Sequence, residues 1–208
     1  MERMTIKEFK EESNIEVIES IMKMNNGYVT SKELDNFGIH RMYLNSMWKK
    51  GLVEKVAPGI YIDINKIEDN YYVFNLSMPN TIYSHMTALY FHGLSIKAPN
   101  EKYDITVRKT YNSKHLKNHE VFYVSDDIYE LGLTEVKTPM GNNVRVYDVE
   151  RCICDIIRSK NRMDSEHIKY SIKEYIKRKD KDLVKLSNYA KEMGIKEEVM
   201  NYIEVFYE

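Results

Sequence analysis

The chain has 208 residues, of which 43% are hydrophobic and 30% are charged, and its formal net charge is -1. This composition excludes a disordered chain, and no apolar run approaches the length of about 20 residues that crosses a bilayer. Domains commonly contain about 100 to 150 residues, so the length allows one large core or two smaller ones. The charged first residues lack the apolar core and cleavage site of a secretory signal, so we expect a cytoplasmic protein without membrane contact.

The first part of the chain predicts two helices in succession. Ile15, Ile18 and Ile21 recur at helical spacing between residues 14 and 25, which predicts the first helix. Thr30 precedes Glu33 by three residues, the spacing of a capping box, so a second helix begins there. Leu34 and Phe37 share one face of this helix, and Gly38 supplies the positive φ that ends it.

A third helix and a hairpin follow directly. Residues 40–50 predict a helix whose inward face carries Leu44 and Met47. Residues 52–56 and 60–62 predict two strands that are joined by a turn at Ala57-Pro58-Gly59. Two short helices followed by a basic hairpin are the layout of a winged helix-turn-helix, with the third helix as the reading helix and the hairpin as the wing.

The side chains of this segment suit a DNA duplex. Arg and Asn can make paired hydrogen bonds with base edges, whereas Lys neutralises phosphates. We expect Arg41, Asn45 and Ser46 to face bases. The predicted DNA-binding residues are Thr30, Ser31, Lys32, Arg41, Tyr43, Asn45, Ser46, Lys49, Lys50 and Lys55. The alternative is that these charges are solvated and that the domain docks another protein.

The net charge of -1 argues against a nucleic-acid binder unless the charge is unevenly distributed. Residues 41–55 contain four basic residues and one acidic residue, Glu54. Acidic residues concentrate instead near the N-terminus, at Glu8, Glu11, Glu12, Glu16 and Glu19. Any positive field is therefore local, and we expect only modest non-specific affinity for DNA.

The remainder of the chain predicts a second domain. Residues 84–93 predict a helix capped by Ser84, and four strands are predicted at 103–108, 121–124, 133–138 and 144–146. The last two strands form a hairpin through Gly141-Asn142-Asn143. Three amphipathic helices follow. The expected fold class is α+β, with an N-terminal winged helix-turn-helix at 1–66 and a mixed α/β domain with C-terminal helices at 67–208.

Residues that could support catalysis or hold a metal are few. Cys152 and Cys154 are the only cysteines, too few for a structural zinc site, and His85 and His92 have no evident further ligands. Acids at 126–127 upstream of Glu135 and Lys137 fit the minimal pattern of a metal-dependent nuclease, but so short a pattern arises readily by chance. We predict no catalytic residues, metal or cofactor, with a winged-helix nuclease as the alternative.

Three ordered segments resemble the AbiEi-type antitoxins of bacterial type IV toxin-antitoxin, or abortive-infection, systems. They are GIHRMYLNSMWKKGLVEKVAPGIY from Gly38, YSHMTALYFHGL from Tyr83 and VYDVERCICDIIRS from Val146. The second resembles the family's helix that starts with Ser and ends in His-Gly-Leu, and the third its helix with Glu-Arg followed by Asp. This chain has Lys55 where many relatives carry Arg, so no specific base contact is assigned to Lys55.

The resemblance implies a phage-defence antitoxin whose winged helix represses its own operon by binding inverted repeats in double-stranded DNA. It also implies that the C-terminal domain counteracts a nucleotidyltransferase-like toxin, with or without a stable complex. Arg151, Asp155 and Arg158 would contribute to the antitoxin surface. Arg151 and Asp155 are also spaced i,i+4, and such a pair can simply hold a helix in place.

Overall fold

A computed structural model describes residues 6–100, 102–112 and 114–206, and for residues 6–12 it describes the backbone only. The side chains of Glu8, Glu11 and Glu12, expected in the acidic N-terminal segment, thus lie outside the described part. Across the described residues the fold is mixed α+β, with ten α-helices and two sheets. The chain forms two compact units, the first ending at Ser77 and the second beginning at Met78.

The first unit contains four helices and a three-stranded sheet. Its elements are α1 (Ile6–Met24), β1 (Tyr28–Thr30), α2 (Ser31–Asn36), α3 (Met42–Lys49), β2 (Val53–Ala57), β3 (Ile60–Asp63) and α4 (Asn70–Ser77). The strand order is β1-β3-β2, and both pairings are antiparallel. Helix α1 begins earlier than the expected residue 14, whereas the other predicted helices and strands agree within about two residues, the usual uncertainty of boundaries.

The core of the first unit joins its helices to the sheet. Ile18 and Ile21 of α1, Leu34 of α2 and Leu44 of α3 form one cluster with residues of the sheet. Phe37, expected beside Leu34 on the buried face, is instead 59% exposed. The reason is that α2 ends at Asn36, so Phe37 is its C-cap and no longer follows the helical repeat.

Helix α4 belongs to the first unit, which is why this unit extends beyond residue 66, the boundary expected from the sequence. Val73 of α4 packs in a second cluster with Tyr28, Ile60 and Ile62 of the sheet. The backbone N–H of Asp69 donates to the Tyr28 hydroxyl at 2.7 Å, which fastens the start of α4 to β1. Burial of an apolar face, rather than any break in the sequence pattern, thus sets the end of the unit.

The second unit combines a five-stranded mixed sheet with helices. Its elements are β4 (Ile82–Tyr83), α5 (His85–Phe91), β5 (Asp104–Arg108), β6 (Glu120–Val124), α6 (Asp126–Tyr129), β7 (Leu133–Lys137), β8 (Asn143–Tyr147), α7 (Val149–Arg158), α8 (Ser165–Lys177), α9 (Leu183–Glu192) and α10 (Lys196–Glu204), with short 3₁₀ helices at Lys114–Asn118 and Lys160–Arg162. The strand order is β6-β5-β4-β8-β7. The predicted hairpin between the last two strands is confirmed as the antiparallel pair β7 and β8.

Helix α7 is the centre of the second unit. All of its residues from Val149 to Ile157 are buried, because the helix packs against α5, α8, α9 and α10. A helix that is buried on every side must pair its polar side chains internally. None of the helices in the described ranges has the length and apolar character needed to cross a membrane.

Candidate nucleic-acid interface

Helix α2 begins with the predicted capping box. The Thr30 hydroxyl accepts from the backbone N–H of Glu33 at 3.1 Å, and the Glu33 carboxylate accepts from the backbone N–H of Thr30 at 2.7 Å. The Thr30 hydroxyl also donates to the same carboxylate at 2.9 Å. The side chain of Thr30 is therefore engaged within the protein, whereas the neighbouring Lys32 side chain is exposed.

The turn between α2 and α3 is short and has its own cap. Gly38 adopts the predicted positive φ of +67°, and Ile39 is buried in the core. The imidazole Nδ1 of His40 accepts from the backbone N–H of Met42 at 3.2 Å, so a histidine satisfies a donor at the start of α3. His40 was not among the residues predicted for the site, although its position just before the predicted helix is that of a cap.

Helix α3 separates an apolar face from a polar one. Leu44 and Met47 are buried, as the spacing predicted. Arg41, Asn45 and Lys49 are spaced i, i+4, i+8 and therefore lie along one face, where all three are exposed. Three further residues that were predicted to bind DNA differ in exposure. Lys50 is exposed, whereas Ser46 and Tyr43 are half-buried. Tyr43 packs against the core cluster, so only part of its ring is accessible.

Asn45 is held by a residue, Tyr61, that was not among those predicted for this site. The hydroxyl of Tyr61, on β3, donates to Oδ1 of Asn45 at 3.0 Å. Tyr61 is itself only 3% exposed, so it holds the amide from inside the unit. With Oδ1 engaged, the amide nitrogen of Asn45 is the donor that remains for a ligand. The sequence signal that could have pointed to Tyr61 is the Gly59-Ile60-Tyr61 end of the predicted hairpin.

The hairpin of β2 and β3 is tied to the start of α2. Pro58 and Gly59 form its turn, with Gly59 at a φ of +75°. The backbone N–H of Ser31 donates to the Gly59 carbonyl at 2.8 Å, and a Cβ on Gly59 would lie 3.4 Å from the Ser31 hydroxyl. A bulge after Lys55 shifts the strand register, and the Lys55 side chain is exposed.

The basic side chains of this surface are not neutralised by neighbours. Within the described ranges, Lys32, Arg41, Lys49, Lys50 and Lys55 form no ion pair. An unpaired cation exposed to water keeps its charge available to an external anion. Together with the exposed amide of Asn45, α3 and the hairpin offer positive charge and hydrogen-bond donors to a polyanion.

The structure corrects the expected antitoxin surface in the second unit. The side chains of Arg151 and Asp155 are only 0% and 4% exposed, and the Arg151 Nε donates to Oδ1 of Asp155 at 3.0 Å. Arg151 Nη1 also donates to the carbonyls of Ile128 and Leu131. This pair therefore lies inside the unit and cannot contact a partner directly. Arg158, at the end of α7, is exposed.

The nuclease pattern is not gathered into one site. Glu135 lies on β7, at one edge of the sheet, whereas Asp126 follows β6 at the opposite edge and binds Arg108 at 3.1 Å. Among the described residues, no group of three or more His, Cys, Asp or Glu side chains could hold a metal ion. Cys152 and Cys154 are free and buried, in agreement with the expectation that they pack in the core.

Comparison with known proteins finds a family match within the first unit. Residues 17–62 match the model of the family described as transcriptional regulator, AbiEi antitoxin. One similar solved structure is that of the RV2827C protein from Mycobacterium tuberculosis, with 10% sequence identity, a TM-score of 0.48 and coverage of 90% of this chain and 79% of that chain. No curated protein matches the chain. The match over residues 17–62 confirms the resemblance to AbiEi-type antitoxins that was seen in the sequence.

Proposed function

We propose that this protein is a cytoplasmic antitoxin and transcriptional autorepressor that binds double-stranded operator DNA through a winged helix-turn-helix. In this proposal α2 and α3 are the helix-turn-helix, and β2 and β3 are the wing. The observation that carries the proposal is the row formed by Arg41, Asn45 and Lys49 on the exposed side of α3. Neither Arg41 nor Lys49 forms an ion pair within the described ranges. In helix-turn-helix proteins the second helix lies in the major groove.

The order of side chains along α3 suits the division between base and phosphate contacts. Arg41 is the N-cap of α3 and Asn45 lies in its first half, the end of the helix that contacts base edges in this motif. The Arg41 guanidinium can donate two hydrogen bonds to guanine, and the free amide nitrogen of Asn45 can donate to a base acceptor. Lys49, Lys50 and Lys55 come later and would neutralise phosphates.

The first residues of α2 lie beside the turn of the β2–β3 hairpin. Because the backbone N–H of Ser31 donates a hydrogen bond to the Gly59 carbonyl, Ser31 and Lys32 lie close to the tip of the hairpin. We infer that these two residues contact the DNA backbone, and that Thr30 contributes by capping α2 rather than by touching DNA. Tyr43 contributes through the exposed part of its ring.

The second unit would carry the antitoxin activity against a nucleotidyltransferase-like toxin. Two observations support this division. The second unit has its own sheet and its own buried centre, helix α7, and the family match lies entirely in the first unit. Of the three residues expected on the antitoxin surface, Arg158 is the one that a partner can reach.

The DNA-binding proposal is tested by fluorescence anisotropy with the duplex upstream of the protein's own gene and a shuffled duplex of equal length. We expect Lys49→Gln to reduce the slope of log K against log salt by about 0.9, since one phosphate contact is lost. Arg41→Gln should instead reduce the preference for the upstream duplex, by about 1 to 3 kcal/mol.

The matched control is Lys23→Gln, which removes an exposed positive charge from α1 in the same unit. It should change neither the salt slope nor the preference. Equal binding of both duplexes by the unaltered protein, or equal effects of Lys23→Gln and Lys49→Gln, would contradict the proposed placement of DNA on α3.

The antitoxin activity is tested by co-expression with the product of the adjacent gene. We expect growth rescue by the full chain and also by a fragment that begins at Met78, the start of the second unit. A fragment ending at Ser77 should repress a reporter but not rescue growth. Growth rescue by the fragment ending at Ser77, or failure of the fragment from Met78 to rescue, would contradict this assignment.

The nuclease alternative has a separate test. Magnesium-dependent cleavage of DNA by the unaltered protein, abolished by Glu135→Ala, would favour that alternative over a protein without catalysis. The opposite sheet edges of Glu135 and Asp126 argue against it, since a metal needs carboxylates that converge.

A further inference from the structure

A cavity of about 310 Å³ lies in the second unit, between α7, β6 and the start of α5. Its inner wall consists of buried residues, among them His85, Phe122 and Asp155. Its rim consists of exposed ones, among them Tyr123, Arg158 and Arg162. The cavity takes no part in the DNA-binding surface, because every residue that lines it belongs to the second unit.

The inner wall contains a carboxylate oxygen with spare capacity. Oδ1 of Asp155 accepts from Arg151, whereas Oδ2 is buried and has no hydrogen-bond partner in the described part of the chain. Buried polar atoms are almost always hydrogen-bonded, so an exception needs an explanation. Since Asp155 lines the cavity, a hydroxyl or amine of a ligand could supply the missing donor.

His85 is a rigid and uncharged part of the inner wall. Its ring stacks on Phe122 with 3.4 Å between centroids, and its two nitrogens contact the hydroxyls of Ser84 at 2.9 Å and Ser159 at 3.0 Å. Burial lowers the pKa of His85 well below its ordinary value, and the nearby arginines act in the same direction. Its backbone has a φ of +46°, a conformation that is uncommon for residues other than glycine.

The rim offers positive charge beside an aromatic ring. Arg158 is exposed and forms no ion pair with any described residue. Arg162 lies over the Phe122 ring, 4.2 Å from its centroid, and contacts Glu120 at 3.3 Å. The Tyr123 ring is 51% exposed next to these two cations. Arginines bind phosphate through their planar donors, and an exposed aromatic ring stacks with a base.

We propose that this cavity binds a single nucleotide, either free or at the end of an RNA strand. Arg158 and Arg162 would hold the phosphate, Tyr123 would stack with the base, and Oδ2 of Asp155 would accept a hydrogen bond from a ribose hydroxyl or a base amine. The volume lies at the lower end of the range of ligand pockets, roughly 300 to 1,000 Å³, which suits one nucleotide.

Isothermal titration calorimetry of the full chain tests this proposal with the four ribonucleoside monophosphates as probes. Inorganic phosphate measures the contribution of the phosphate group, and the matching nucleosides measure that of the base and ribose. A 5′-phosphorylated RNA trinucleotide distinguishes a strand end from a free nucleotide. We expect at least one nucleotide to bind more tightly than phosphate or its nucleoside. Arg158→Gln should weaken that binding by about tenfold or more, because a charge-assisted hydrogen bond is lost.

Two variants separate recognition from folding. Tyr123→Ala should weaken binding of the nucleotide and leave phosphate unaffected, whereas Lys173→Gln, an exposed change on α8 away from the cavity, should alter neither. Circular dichroism verifies that each variant is folded. Each of three results would overturn the proposal: none of the four nucleotides binds, the nucleotide and phosphate bind with equal affinity, or folded Arg158→Gln binds as well as the unaltered protein.

Discussion

The hydroxyl of Tyr61 on β3 donates a hydrogen bond to Oδ1 of Asn45 on α3, over 3.0 Å. This bond joins the strand next to the hairpin turn with the polar face of the helix. It fixes which end of the Asn45 amide is free to meet a ligand. The orientation of a proposed base-reading side chain is thus set by a buried tyrosine from another element.

Replacing Tyr61 with Phe should reduce the free energy of unfolding by about 1 kcal/mol, the usual loss for one hydrogen bond. It should also reduce the preference for the upstream duplex, because the Asn45 amide becomes free to rotate. Urea unfolding and anisotropy measure the two effects. Tyr43→Phe is the control, because Tyr43 packs against the same core cluster but its hydroxyl has no hydrogen bond among the described residues. If both variants lost the same stability and the same preference for the upstream duplex, this role of Tyr61 would be contradicted.

Gly132 should not tolerate a side chain. It has a φ of +75°, and an added Cβ would lie 2.7 Å from Cβ of Arg151. Gly132→Ala should therefore lose about 1 to 2 kcal/mol through backbone strain and about 1 to 3 kcal/mol more through overpacking. Gly141→Ala shares the positive φ but meets open space, so thermal unfolding should show the first loss only. Similar melting temperatures for the two variants would refute the steric argument.

Removing only one partner of the buried ion pair between Arg151 and Asp155 should destabilise the protein strongly. Arg151→Met leaves the Asp155 carboxylate buried without its partner, and we expect a loss of about 3 to 5 kcal/mol in the free energy of unfolding. Adding Asp155→Leu should recover a large part of this loss, since no uncompensated charge remains. Arg158→Gln, an exposed change on the same helix, should remain within about 0.5 kcal/mol in urea unfolding. A double variant as unstable as Arg151→Met would show that the packing of Arg151 dominates.

Asp104 should make the stability depend on pH. Burial raises the pKa of its carboxyl from 3.8 to about 6, although the Met86 backbone N–H that donates to it acts in the opposite direction. A raised pKa means that the folded state binds the proton more tightly. The stabilising contribution is therefore complete below about pH 4 and is lost as the pH rises through about 6.

The stability of Asp104→Asn relative to the unaltered protein should consequently increase between about pH 4 and pH 7, by roughly 1 to 3 kcal/mol. Asn keeps an acceptor for Met86 but does not titrate, so other titrating groups cancel in the difference. Urea unfolding at a series of pH values measures it. A difference that stays constant across this range would exclude Asp104 as the group responsible.

The first unit was largely predictable because its signals are local. The Thr30 capping box, the turn at Gly38, the inward pair Leu44 and Met47, and the hairpin turn at Gly59 each depend on residues close in sequence. Ser84 shows where such a signal is incomplete. It occupies the predicted N-cap position of α5, but its hydroxyl contacts the ring of His85 instead of capping the helix.

The sequence by itself determined the local elements of this protein and the segment that resembles the AbiEi antitoxins, since caps, turns and hydrophobic repeats act over a few residues. Only the tertiary structure decided that α4 completes the first unit, that Tyr61 holds Asn45, and that Arg151 and Asp155 lie inside rather than on the surface. The physical reason is that burial is shared between elements far apart in the chain. A spacing of four residues places Arg151 beside Asp155, but it is the packing around α7 that removes both from water.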